Sequence, residues 1–471
     1  MIKNLIYPLL SASLFLFGSS GCSNFLNVDK LGKNDVPKTF SDMDGLRTSL
    51  TGMYRLLYNY YDGDYLKYSE VAADMIDLRP TASDMIVQYN YLSQQEDVTT
   101  SVEYIWRDGY HLMANANNIL YYAPDLKATF PHHAKEIDLI CAQALFVRAL
   151  THFMICNTYA QPYNYTSDAS HIGIPALTRL PGANDLVKRN SVAEVYQRIT
   201  EDLRDAYNLF GSLTIESPYF ISGMACRALQ ARIYLYMGDM QAALECASDV
   251  IAAMTLTPRS DYARMMQAEV AGSEAIFRIN GIRINSHTLR KFYGSDGSAF
   301  ASSKFSGTFY DNNDVRWQML SGNILRKYWN PSEDLIPKPN EFEIPFAPFI
   351  LRLTEIYLIR AEAYCEMNQP AQAAADLKAI IARAIGKPVE EVVLNYSGAA
   401  DLMNIVERER ILELTGEGHR LFDITRWKQN MVRNSDTNSS VRTVTYPNNR
   451  FILPIPRTEM DGNKGMVQNP M

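Results

Sequence analysis

Apolar residues recur at three- and four-residue steps along most of the chain, the spacing of helices with one buried face. Over 191–210, Val192, Val195, Tyr196, Ile199, Leu203, Ala206, Tyr207 and Phe210 fall on one side. Ser191 and Glu194 make a capping box at the start of that helix. The segment 103–122 repeats the pattern with Trp106, Tyr110, Met113 and Asn117, and 141–159 does so with Leu145, Ala149, Phe153 and Cys156. A weak internal repeat follows: Ala231, Tyr234, Met237 and Ala243 recur as Ala361, Tyr364, Met367 and Ala373. Each copy reads as a helix, a tight turn and an Ala-rich helix, with Pro370 suited to a first helical turn. This is the tetratricopeptide pattern of paired helices, but the copies lie far beyond its tandem period of about 34 residues. Long insertions are expected to separate the pairs and keep them from forming one continuous solenoid.

Two segments break the helical pattern. Residues 58–101 and 280–349 are rich in Tyr, Asn, Ser, Asp, Gly and Pro. The first holds Tyr58, Tyr60, Tyr61, Tyr65, Tyr68, Tyr89 and Tyr91; the second holds Tyr293, Phe300, Phe305, Tyr310, Trp317, Tyr328 and Trp329. Long irregular loops on a rigid scaffold are where binding residues concentrate. The chain has 29 Tyr among its 471 residues, and tyrosine offers a flat apolar face with one polar handle. A ligand face is therefore expected where the two blocks meet, built from Arg79, Tyr89 and Tyr91 of the first and Tyr293, Phe300 and Trp329 of the second. Trp106 and Trp427 sit among helical apolar positions and read as core.

The N-terminus carries an address. Lys3 precedes an apolar run from Ile6 to Phe17, too short to span a bilayer as a free helix. Ser19-Ser20-Gly21-Cys22 follows and resembles a bacterial lipobox, with cleavage before Cys22 and a lipid on its sulfur; the alternative is an ordinary signal peptide with a chance cysteine. Several acyl chains on one cysteine give stable anchoring. The remaining cysteines, Cys141, Cys156, Cys226, Cys246 and Cys365, form no CxxC pair and read as buried apolar residues. A net charge of −7 argues against a nucleic-acid partner. HExxH, GxSxG, Walker and GxGxxG motifs do not occur, and His132-His133 has no ligand partner at useful spacing, so neither a cofactor nor a metal is expected.

One charged stretch, 407–427, interleaves Glu407, Glu409, Glu413, Glu417, His419, Arg420, Asp423 and Arg426 with Ile411, Leu414, Leu421, Phe422 and Trp427. It reads as a helix with paired charges and a break at Gly416–Gly418, in preference to an acid/base cluster. It also resembles the C-terminal signature of the SusD/RagB family through Glu407, Arg408, Glu413, Leu414, Glu417, Gly418, His419, Arg420, Asp423, Arg426 and Trp427. IWRDGYHLMANANNIL (105–120), ALFVRALTHFMICNTYAQPY (144–163), DNNDVR (311–316), LRLTEIYLIRAEAY (351–364) and the ending LPIPRTEM…QNP match other pieces in order, as does Phe25-Leu26 after the lipid signal.

The resemblance implies a mostly α fold: tetratricopeptide-like helix pairs as a scaffold, long loops as a ligand face, little β. It divides the chain into a lipoprotein signal peptide (1–21), an N-terminal helical region with one helix pair (22–270) and a C-terminal region packed into the same globule (271–471). It implies a surface lipoprotein of the Gram-negative outer membrane that captures glycans and hands them to a SusC-like TonB-dependent transporter, with no enzymatic activity. A peptide-binding member of the same family is the alternative, and an exported glycoside hydrolase a more distant one.

Overall fold

The computed structural model describes residues 36–94, 101–182, 185–281, 287–328 and 346–470. Eleven helices carry the scaffold: α1 (Met43–Tyr61), α2 (Asp64–Val71), α3 (Ser101–Thr129), α4 (Ala134–Tyr159), α5 (Val192–Phe210), α6 (Gly223–Met237), α7 (Met240–Ala253), α8 (Leu353–Glu366), α9 (Pro370–Ile385), α10 (Ala399–Leu414) and α11 (Arg420–Arg426). The capping box forms as the sequence predicts: Ser191 Oγ accepts from the Glu194 amide, and the Glu194 carboxylate accepts from the Ser191 amide at 2.8 Å. Pro370 opens α9, and Gly386, at φ +71, closes it.

The helix pairs repeat in environment as well as in sequence. Ala231 and Ala361 are fully buried, as are Ala243 and Ala373, while Tyr234, Tyr364, Met237 and Met367 are half-buried. The matching turn positions, Gly238 and Asn368, both adopt a left-handed conformation, at φ +79 and +54. The expectation that the insertion keeps the pairs apart is corrected. α7 packs directly on α8, so neighbours run α1–α3–α4–α5–α6–α7–α8–α9 without a gap.

One helical stretch among the described residues, Pro131–Tyr159, is long and apolar enough to cross a membrane, and 94% of its apolar window is buried inside the fold. It is the central element of an apolar cluster that extends from Phe40 to Met466.

The first Tyr-rich block is not the loop expected of it. Tyr58, Tyr60 and Tyr61 lie in α1 and Tyr65 and Tyr68 in α2, all buried. Tyr60 stacks on Tyr65 at 5.6 Å, and Tyr65 stacks on Phe422 of α11 at 6.1 Å. Tyr58, Tyr61, Tyr65 and Tyr68 are spaced three, four and three residues apart, the period of a buried helical stripe. The irregular part begins only after α2. There β1 (Ile76–Leu78) crosses to the second block and pairs antiparallel with β3 (Ala299–Ala301), while β2 (Ala275–Arg278) pairs with β4 (Phe349–Arg352).

The charged stretch 407–427 is structural, as its pattern suggests. α10 ends at Leu414, and Gly416 and Gly418 then take φ of +88 and +86. A Cβ at Gly416 would sit 2.6 Å from the Leu325 side chain. Arg352 donates to Glu417 at 2.8 Å and to Glu413 at 3.0 Å, Arg383 bridges Glu274 and Glu413, and Arg316 binds Asp314 and Glu409. Burial raises the Glu413 pKa, but Arg383, Arg352 and Arg316 outweigh it and hold the carboxyl well below its usual range. Arg410 and Arg426 clamp Asp423, and Trp427 donates to Glu362 at 2.7 Å. Every charge here is paired, which buried ions require.

Candidate ligand-binding face

The two loop blocks meet in the β1–β3 ladder. In the β1–β3 ladder Asp77 lies opposite Phe300. Arg79 extends the ladder: its amide donates to the Ser298 carbonyl at 2.8 Å, and its guanidinium donates to Gly297 at 2.8 Å and Ser295 at 3.0 Å. Phe300 and Arg79 are half-buried, with part of each side chain at the surface.

Three of the expected aromatics do not present a face. Tyr89 and Tyr293 are fully buried and Tyr91 is 8% exposed. The Tyr91 hydroxyl donates to the Ala72 carbonyl, and its ring packs edge-on against Phe451. Tyr293 stacks on Tyr328 at 5.7 Å, and its hydroxyl lacks a partner among the described residues. These rings are part of the core that supports the face, because the short helices Ile86–Tyr89 and Thr288–Tyr293 turn them inward. Trp329 and Cys22 lie outside the described residues. Trp106 is core, as expected.

A third segment, unanticipated from the sequence, completes the face. Residues 433–440 fold over the ladder. Asp77 accepts from Thr437 at 2.6 Å and from the Tyr89 hydroxyl, and Asn438 donates to the Leu78 carbonyl at 2.9 Å. Asn434 donates to Ser303 at 2.7 Å, and Ser303 donates to Asp436 at 2.8 Å. Burial, with Asp77 alongside, pushes the Tyr89 pKa up to about 12, so it remains a neutral hydroxyl.

Arg433 ties this loop to the end of α2 and to the Tyr89 segment. It donates to the carbonyls of Val71, Ala73, Tyr89 and Val441 and to Ser439 Oγ at 2.7 Å, with its guanidinium over the Tyr89 ring at 4.4 Å. The sequence signal for this segment is 434–440, seven residues without one apolar side chain.

The face thus offers hydroxyls, amides and carboxylates around a half-buried ring. Among the described residues no group of three or more His, Cys, Asp or Glu could hold a metal ion. The SusD family model matches residues 301–471, and a second model, described as starch-binding and associating with the outer membrane, matches 25–235. The chain belongs to the SusD/RagB family.

Its relatives agree. SusD-like protein P25 of Formosa agariphila is 24% identical, over 88% of each chain. A SusD superfamily protein from Bacteroides vulgatus superposes with a TM-score of 0.79 at 25% identity, over 91% of this chain and 99% of the other. A laminarin-binding SusD-like protein has a TM-score of 0.71 at 19% identity, over 91% and 99%.

Proposed function

We propose that this chain is a surface-exposed outer-membrane lipoprotein, anchored through Cys22, that binds glycans without cleaving them and delivers them to a SusC-like TonB-dependent transporter. The observation that carries the reading is the convergence of three segments, 76–79 and the polar 295–304 and 433–440, on one ladder. Sugar rings have apolar C–H faces and a rim of hydroxyls. Phe300 suits the face, while Arg79, Thr437, Asn434 and Asp436 suit the rim. The description of the matched family as starch-binding and membrane-associated supports the same ligand class and place.

The test is calorimetric titration of the soluble chain lacking residues 1–22 with laminarihexaose, maltohexaose, acidic oligosaccharides and cationic peptides. Saturable binding of a saccharide is expected. Binding of peptides alone would transfer the chain to the peptide-binding branch, and release of reducing ends would refute the binding-only reading.

A further inference from the structure

A second cavity lies on the far side of the segment that carries Tyr89. It has a volume of about 250 Å³ and lies between residues 88–94 and 449–454. Three of the polar side chains that line it have no hydrogen-bond or ion-pair partner among the described residues. Gln88 is 3% exposed, and its amide nitrogen has no hydrogen-bond acceptor among the described residues. Asn449 and Arg450 reach the rim, and neither side chain has a hydrogen bond or ion pair among the described residues.

A buried amide left unpaired destabilises the fold, and such a group calls for an explanation. The backbone at this site is fixed. Asn448 Oδ1 accepts from the Arg450 amide at 3.0 Å, which sets the short turn Asn449–Phe451. Leu92, 59% exposed, and Ile452 supply an apolar wall, with the edge of Tyr91 beneath.

We infer that this cavity is a subsite for an anionic sugar unit. Its polar complement is rich in donors: the amide groups of Gln88 and Asn449 and the fork of Arg450. The fork matches a planar or tetrahedral oxyanion, a uronate carboxylate or a sulfate ester. The wall takes the C–H face of the ring. The cavity adjoins the face described above, because Asn90, between the two, accepts from Ser440 at 2.8 Å. One chain of sugars can therefore cross the segment 88–92 and occupy both.

This inference rests on the reading of the protein as a glycan binder, and the experiment separates the two. The soluble chain lacking residues 1–22 is titrated with laminarihexaose (neutral), hexagalacturonate (carboxylate) and a carrageenan hexasaccharide (sulfate). At least one anionic probe should bind about tenfold or more tightly than the neutral one. Arg450→Ala should weaken that probe about ten- to a hundredfold and leave the neutral probe within twofold. Arg450→Lys, keeping the charge without the fork, should recover only part of the loss. Gln88→Leu should weaken the same probe about fivefold with no fall in melting temperature, since it removes an unpaired buried group. Raising the salt should weaken the parent more than Arg450→Ala.

The arm that responds, carboxylate or sulfate, identifies the anion. Equal affinity for neutral and anionic probes, or anionic binding untouched by Arg450→Ala and Gln88→Leu, overturns the subsite and leaves glycan binding standing. Failure of every saccharide overturns both.

Discussion

Phe300 and Tyr293 are seven positions apart and chemically alike, yet only Phe300 reaches the surface. Phe300→Ala should weaken the best saccharide probe about tenfold, near 1.4 kcal/mol, measured by titration. Tyr293→Phe should leave binding unchanged and the melting temperature equal or higher, because the lost hydroxyl has no partner among the described residues. A binding loss in Tyr293→Phe would restore that residue to the face. Sequence composition cannot separate the two cases, since a tyrosine serves a core and a surface equally well.

Glu70 offers a test of another kind. Burial pushes its pKa up to about 7, against the opposing pull of the Gly416 and Gly418 amides and Lys327. A carboxyl raised in the folded state contributes stability below its unfolded pKa of 4.5 and loses it as the pH climbs to about 7, by up to about 3 kcal/mol. Asp74, Glu413, Glu417 and Asp423 are shifted down by arginines and lysines that outweigh their burial, so they act oppositely and lose stability in acid. Glu70→Gln should therefore gain on the parent as the pH rises from 5 to 7. Parallel melting curves over that range would refute the assignment.

Among the elements, those with local signatures were legible. The capping box, the Pro370 start and the paired turns at Gly238 and Asn368 each follow from residues within four positions of one another. The loop that completes the face was not, because its meaning depends on Arg433 reaching segments more than 340 positions away. The tyrosines of 58–68 were misplaced because composition was weighed above their helical spacing. Arg433→Met should strand buried carbonyls at Val71, Ala73 and Tyr89, at a cost of about 3 kcal/mol or more. Amide exchange should quicken first in 71–73, 86–91 and 439–441, and saccharide affinity should fall with it. Uniform exchange across the scaffold would show that Arg433 is ordinary core and that the three segments are positioned independently.

For the whole molecule, most of the helix stack and the residues beneath the loop face share one apolar cluster, and α9 and α10 close a second with part of α8, so the ligand face is carried on a close-packed scaffold with little freedom to deform. Such a body suits a cap that moves as a unit. If Cys22 bears the lipid, Cys22→Ala should abolish labelling by a fatty-acid analogue and release the protein from the membrane fraction, whereas persistent labelling would assign the lipid elsewhere. With the anchor intact, the parent should co-purify from mildly solubilised outer membrane with a large TonB-dependent barrel. A lid over a barrel needs an interface above roughly 2,000 Å² to remain closed. Phe300→Ala and Arg450→Ala should co-purify as well as the parent, since both change the ligand surfaces and neither belongs to the scaffold. Recovery of the parent only as a free monomer would remove the transporter from the proposal while leaving the glycan-binding face to be judged by titration alone.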